Sequence, residues 1–302
     1  MADLILATRG SELALVQTRL VREGLLRAWP QLEVREEIVR TTGDKRPAEE
    51  LTALGGSGVF TKELESAVLE KRAHAAVHSL KDLPVELPAG LVLAAVLRRA
   101  DAGDVLVSSR PGGVEALSSG ARIGTGSPRR AGMMRALRHD AEIVPVRGNV
   151  PTRIGLVAGG KFDAVILAAA GLERLGLPTD GEFLRDGVVL HATPLSTFLP
   201  APGQGAIAVE TLEDDHVTRK RLRVLHDEDT AAAVTAERAV LRALGGGCHL
   251  ALGAWGRVVE GRLHLQAVLF DGSGAGPKMA AQSAPTEDAE ELGRAVAAEL
   301  RV

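Results

Sequence analysis

A repeated unit constrains this chain more than anything else in it: a short apolar run, a turn of small or charged residues, then an amphipathic stretch. Leu4–Ala7 breaks at Thr8-Arg9-Gly10, and Ser11 is placed to cap a helix reaching about Ala28. Leu13, Val16, Leu20 and Leu25 give that helix one apolar stripe before Trp29-Pro30 ends it. Val34–Val39 is a second strand. Ala75–His78 is another, followed at once by Ser79-Leu80-Lys81-Asp82-Leu83-Pro84, where the proline prevents extension. Leu91–Leu97, Asp104–Val107, Gly120–Gly126, Ile143–Val146 and Phe162–Ala169 continue the series. Strands alternating with helices predict an α/β protein. Residues just past a strand then stand at its carboxyl end beside a helix N-terminus, where such folds bind anions.

Arg9 and Ser11 fall there in the first unit, although a surface arginine beside a helix cap would read the same. Lys81 and Asp82 fall there in the third. A carboxylate at such a point can receive N–H donors from a ligand or stabilise a developing cation, and a hydrated Lys-Asp turn is the plainer alternative. Ser127-Pro128 opens a helix carrying Arg129 and Arg130 in its first turn. Cations are electrostatically misplaced at a helix N-terminus, so the pair points to an anionic ligand. Arg147 follows a strand, Arg153 lies in a helix starting near Pro151, and Arg174 follows Phe162–Ala169. Five arginines so placed, in a chain of net charge −3, predict a cleft that collects carboxylates or phosphates. Gly55-Gly56-Ser57-Gly58 precedes a helix from Thr61 to Arg72 but lacks the Gly-Lys-Ser/Thr ending of a nucleotide loop.

The C-terminal third reads differently. Pro200-Ala-Pro-Gly-Gln-Gly205 resembles a linker, and Ala206–Glu210 is a strand. From about Asp215 the chain is helical, and the helix Thr230–Leu244 stops at Gly245-Gly246-Gly247. Cys248, the only cysteine, follows on that flexible turn rather than inside an apolar run. Ala251–Val259 and Leu263–Phe270 form a hairpin around Glu260-Gly261, and a helix over 287–300 packs on it, which suggests a separate small α/β domain. One cysteine excludes an intramolecular disulfide and suits a reducing cytosol. The N-terminus lacks a signal-peptide pattern, and no apolar run approaches the ~18–20 residues that span a bilayer, so a soluble cytoplasmic protein is expected. Net negative charge, 2% aromatic residues and no tyrosine argue against nucleic-acid binding.

In order along the chain, Ala7-Thr-Arg-Gly-Ser-Glu-Leu-Ala-Leu15, Phe60-Thr-Lys-Glu-Leu-Glu65, Val77-His-Ser-Leu-Lys-Asp-Leu-Pro84, Gly124-Thr-Gly-Ser-Pro-Arg-Arg130, Arg147-Gly-Asn-Val-Pro-Thr-Arg153, Ala169-Ala-Gly-Leu172, Pro200-Ala-Pro-Gly-Gln-Gly-Ala206 and Gly246-Gly-Cys248 resemble the porphobilinogen deaminase (hydroxymethylbilane synthase) family. The resemblance implies three domains. Residues 1–98 with 199–216 form a first lobe, 99–198 a second lobe, and 217–302 a smaller C-terminal α/β domain. The lobes are like those of type-II periplasmic binding proteins, with crossings near Arg99 and Pro200 as hinge. It also implies a dipyrromethane cofactor joined to Cys248 by a thioether, and the head-to-tail addition of four porphobilinogen units with loss of ammonia. Asp82 would be catalytic, stabilising the cation left when ammonia departs. Arg9, Arg129, Arg130, Arg147, Arg153 and Arg174 match positions that hold pyrrole acetates and propionates, and Ser11, Ser79, Lys81, Thr125 and Ser127 would add hydrogen bonds. No metal is implied. The family further implies a monomer that hands hydroxymethylbilane to uroporphyrinogen-III synthase. Departures are Ala53 and Ser57, where many members carry lysine, Gly126 and Pro128 in the arginine turn, and Ala251 after the cysteine. A rival reading from another class is a non-catalytic two-lobed protein that captures an anionic ligand.

Overall fold

The computed structural model describes residues 4–40, 61–247, 250–270 and 276–301. Its first part contains β1 (Leu4–Arg9), α1 (Glu12–Ala28), β2 (Val34–Val39), α2 (Lys62–Leu69), β3 (Ala75–Ser79) and β4 (Leu91–Val96). The second contains β5 (Asp104–Ser108), β6 (Arg122–Gly124), α3 (Pro128–Leu137), β7 (Glu142–Val144), α4 (Val150–Ala158), β8 (Ala164–Ala168), α5 (Ala169–Arg174), β9 (Gly181–Arg185) and β10 (Val188–Pro194). The chain then returns through β11 (Ile207–Leu212) and α6 (His216–Leu222). It ends with α7 (Glu228–Ala243), β12 (Ala251–Val259), β13 (Arg262–Phe270), β14 (Lys278–Pro285) and α8 (Ala289–Arg301).

The strands assemble into three sheets among the described residues. The first has the order β2-β1-β3-β11-β4, the second β7-β6-β8-β5-β10-β9 and the third β12-β13-β14. β1 pairs in parallel with β2 and β3, whereas β11 runs antiparallel to β3 and β4. A strand late in the sequence thus completes a sheet begun at the N-terminus, which requires the chain to cross between the first two bodies twice. The crossings touch: Ala100 N–H donates to Gly205 O at 3.3 Å and Leu97 N–H to Ile207 O at 3.0 Å. The architecture is α/β, two sheet-centred lobes with a smaller C-terminal α/β body.

Each sheet has its own core. Leu4, Leu6, Val77 and Val209 meet Val21 and Leu25 of α1 in the first, with Leu222 of α6 added. Val105, Val165, Leu167 and Leu190 pack with Ile154 of α4 in the second, and Leu252, Leu263 and Leu265 with Val296 and Leu300 of α8 in the third. Each such side chain stabilises its body by roughly 1.5–3 kcal/mol. Ser11 caps α1 as read, its hydroxyl accepting from Ala14 N–H at 3.4 Å. The buried face of α1 is rotated from the predicted stripe, however: Gln17, Thr18, Val21 and Leu25 are buried while Leu20 is 41% exposed. Thr18 is tolerated inside because its hydroxyl donates to Thr8 Oγ1 at 2.7 Å.

Candidate active site

β3 ends in the 3-10 turn Leu80–Asp82, closed by Leu83 N–H donating to Leu80 O at 3.1 Å. Leu80 is fully buried and anchors the turn, while its N–H donates to Ala206 O at 3.0 Å. Gly203, at φ +74°, lets the second crossing lie directly on it: a Cβ there would come within 3.2 Å of Lys81 N. Lys81 and Asp82 themselves face outward and are exposed. Yet protein surrounds the Lys81 ammonium closely enough that burial, with the nearby Arg130 charge, lowers its pKa to about 8 against the opposing pull of Asp82 and Asp104. Its Nζ donates to Gln204 Oε1 at 3.3 Å, which turns the ammonium toward the crossings between the lobes.

The facing wall belongs to the second lobe. Arg153 in α4 is half-buried, and its Nε–H donates to Gly148 O at 2.8 Å. Burial and then Arg130 push its pKa down to about 10, and the Asp82 charge opposes them. Asp82 and Arg153 therefore sense each other across the two lobes. Arg174, at the end of α5, donates to Gly205 O at 2.6 Å, and burial lowers its pKa to about 10 as well. Leu13 of α1 approaches Gly171 of α5, where an added Cβ would lie 3.9 Å from Leu13 Cδ2, so the lobes touch beside the cleft.

Arg129 and Arg130 are buried behind this wall. Arg129 Nη1 donates to Asp104 Oδ2 and to Leu199 O, both at 2.6 Å. Arg130 grips Asp104 Oδ1 through Nε at 3.0 Å and Nη2 at 2.7 Å, and Nη1 donates to Ile166 O at 2.8 Å. Burial alone would raise the Asp104 pKa, but the Arg130 and Arg129 guanidiniums outweigh it and hold the carboxyl well below the usual carboxylate range. The anion these two arginines hold here is thus an internal carboxylate. Gln204 ties the cluster to the cleft: its amide nitrogen donates to Ala102 O at 2.7 Å and Asp104 Oδ1 at 2.9 Å, and its oxygen accepts from Lys81 Nζ at 3.3 Å.

A family model described as porphobilinogen deaminase, dipyromethane cofactor binding domain, matches residues 4–220, and one described as porphobilinogen deaminase, C-terminal domain, matches residues 231–302. The chain belongs to the porphobilinogen deaminase family. A relative of that name from Syntrophobacter fumaroxidans is 43% identical over 302 residues, covering 99% of this chain and 95% of its own. Those from Desulforudis audaxviator, 42% identical, and Xanthomonas euvesicatoria pv. vesicatoria, 44% identical, cover 99% and 98% of this chain and 94% and 95% of theirs.

For this porphobilinogen deaminase family member, the other residues singled out from sequence distribute as follows. Arg9 ends β1 and Arg147 follows β7, both half-buried. Ser79 Oγ accepts from Gln17 Nε2 at 2.7 Å, and Thr125 Oγ1 accepts from Ser127 N–H at 3.2 Å. Ser127 caps α3 by accepting from Arg130 N–H at 3.4 Å. Cys248, Ala53 and Ser57 lie outside the described residues. The turn leading to Cys248 is described: Gly245, Gly246 and Gly247 have φ of 95°, 60° and 125°, values that side chains resist, so the three glycines are needed where they stand. Gln204, Asp104 and Glu237 carry no local sequence signal. Each acts by joining segments distant in sequence, which no local pattern reports. Among the described residues no group of three or more histidine, cysteine or carboxylate side chains could hold a metal, and no helix is long and apolar enough to cross a membrane.

Proposed function

We propose that this protein is a transferase that condenses four porphobilinogen molecules head to tail, releasing ammonia and hydroxymethylbilane. The observation that carries this reading is the exposed Asp82 carboxylate flanked by Lys81 and sensed by Arg153 across the cleft. The donor set fits a dipyrromethane, whose rings carry acetate and propionate groups: cations line a cleft that water reaches, around one carboxylate free to face pyrrole N–H groups. When bound, that group would supply a nucleophilic pyrrole end, held through a thioether at Cys248. Arg9, Ser11, Ser79, Thr125, Ser127, Arg129, Arg130, Arg147 and Arg174 complete the proposed binding set, with Arg129 and Arg130 acting from behind through Asp104.

Asp82 accepts the pyrrole N–H and stabilises the cation that develops as the substrate loses ammonia. Lys81 and Arg153 neutralise incoming carboxylates, and binding such anions favours the charged form of Lys81 in return. The division into residues 1–98 with 199–216, 99–198 and 217–302 is part of the same reading, although Leu222 of α6, which it assigns to the C-terminal body, packs in the first core. So are a cytoplasmic monomer and transfer of the product to uroporphyrinogen-III synthase. The non-catalytic binding alternative is not favoured by the family matches.

The test is intact mass with and without porphobilinogen, together with turnover of Asp82→Asn. Wild type should carry a two-pyrrole excess that grows in one-pyrrole steps, and Cys248→Ala should carry none. Asp82→Asn should keep the two-pyrrole excess but lose about 10²-fold or more in kcat, as expected for loss of a charge-stabilising group. Near-normal product formation by that variant would remove Asp82 from its role.

A further inference from the structure

The helix that delivers the glycine turn also holds the chain leaving Asp82. Arg238 lies in α7 and is 8% exposed. Its guanidinium reaches across to three consecutive carbonyls: Nη1 donates to Leu83 O at 3.4 Å, and Nη2 to Pro84 O at 2.7 Å and Val85 O at 3.0 Å. Among the described residues no carboxylate forms an ion pair with it; Glu210 and Glu290 act only at longer range. A dehydrated cation satisfied by backbone carbonyls alone is oriented by them and fixes them in turn.

A second contact comes from the end of the same helix. Gly246 N–H donates to Leu241 O at 2.8 Å, closing the glycine turn onto α7, and a Cβ on Gly246 would lie 3.8 Å from Val85 Cγ2. The helix and the glycine turn that ends it thus both border the Leu83–Val85 strap. Beside them is a cavity of about 380 Å³ lined by Val85, Leu87, Val234, Arg238 and Arg242 among others. Next to the cavity, Leu83 of the strap packs with Val234 of α7 in one core, so apolar contact and the Arg238 hydrogen bonds together hold the strap on the helix.

We infer that Arg238 is a positioning residue that fixes the Asp82 turn relative to the glycine turn, and so sets how a group tethered beyond Gly247 meets the Asp82 carboxylate. The inference rests on the roles proposed above for Asp82 and Cys248. Arg238→Met keeps the apolar stem and removes every donor, whereas Arg238→Lys keeps the charge but cannot span three carbonyls.

The experiment uses the full-length protein with porphobilinogen as probe, and compares wild type with both variants by steady-state kinetics, intact mass and hydrogen exchange without substrate. Both variants should retain the two-pyrrole mass. The kcat should fall about tenfold or more in Arg238→Met and less in Arg238→Lys, with KM within about threefold, because misplacement of reacting groups costs rate rather than affinity. Amides of the 83–87 and 244–247 segments should lose protection together. A kcat within about twofold of wild type, even with a lower Tm, would make Arg238 merely structural. Loss of protection confined to one segment would equally overturn the coupling. Hydrogen exchange on Arg238→Lys, the milder change, decides the matter if Arg238→Met does not fold. Should wild type itself leave porphobilinogen untouched, the functional reading fails while the exchange comparison still tests the coupling.

Discussion

Asp104 shows how a single residue organises a site it does not line. It is 2% exposed, and a lone carboxylate at that depth would be costly; two guanidiniums and the Gln204 amide make it stable as an anion. Asp104→Asn leaves Arg129 and Arg130 buried without their counter-charge, and removing one partner of a buried pair costs about 3–5 kcal/mol. A drop of that size in denaturant stability at neutral pH is expected. The pH dependence has a definite sign. Because the folded pKa lies below the unfolded one, the contribution is complete above the ordinary carboxylate range and is lost as pH falls through that range toward the folded value. Wild type and Asp104→Asn should therefore converge in stability upon acidification, and a constant gap between pH 7 and pH 3 would contradict the assignment. The sequence revealed that Arg129 and Arg130 needed an anion, since both sit in the first turn of α3 against the helix dipole. It could not reveal that the anion is Asp104, because the partner is set by the pairing of distant strands.

At the scale of elements, legibility followed local chemistry. The strands of the first sheet and the glycine stop of α7 were readable because apolar runs and glycines act over a few residues. The hairpin of β9 and β10 is absent from the strands the apolar runs predict, although Asp186-Gly187 marks it; both residues take positive φ, 51° and 79°, as a two-residue turn demands. β14 was missed for a different reason. Lys278–Pro285 exposes or half-buries all but Ala280, so it has no apolar alternation and owes its strand form to pairing with β13. Gly293 in α8 carries a prediction of this kind. Replacing a helical glycine by alanine ordinarily stabilises by about 1 kcal/mol. Here a Cβ would come 2.4 Å from both Ala236 O and Ala239 Cβ of α7, a backbone oxygen and a methyl with no torsion to turn it aside. Gly293→Ala should accordingly lower the thermal midpoint of the C-terminal body, by an overpacking cost of about 1–3 kcal/mol. A raised midpoint would mean that the two helices are not so closely set.

One buried carboxylate lies where the three bodies of the molecule meet. Glu237 of α7 is fully buried, and its Oε1 accepts from Arg99 Nη1 at 2.6 Å and Gly256 N–H at 2.7 Å. Its Oε2 accepts from Arg99 Nη2 at 3.1 Å and Gly203 N–H at 2.7 Å. Arg99 and Gly203 belong to the two crossings between the lobes, and Gly256 to the third sheet, so this side chain ties the C-terminal body to the hinge, beside Thr230 Oγ1 accepting from Arg99 N–H and Ala254 N–H donating to Pro200 O. The resemblance located the crossings near Arg99 and Pro200, but nothing local marks Glu237 as their fastener. Every neighbour of both oxygens is a donor. Glu237→Gln, nearly the same in shape, must therefore turn an amide N–H₂ toward a donor whichever way it is placed, and it leaves Arg99 without its counter-charge. We expect a loss of about 3–5 kcal/mol, with unfolding of the C-terminal body separating from that of the lobes. The two tryptophans make this readable, because Trp29 follows α1 and Trp255 lies in β12. In a Trp29→Phe background, fluorescence reports Trp255 alone while circular dichroism reports the whole chain. The two transitions should coincide with Glu237 present and part company in Glu237→Gln, the Trp255 signal changing at lower denaturant. Coincident transitions in both proteins would show that the C-terminal body is held by its wider packing rather than by this carboxylate.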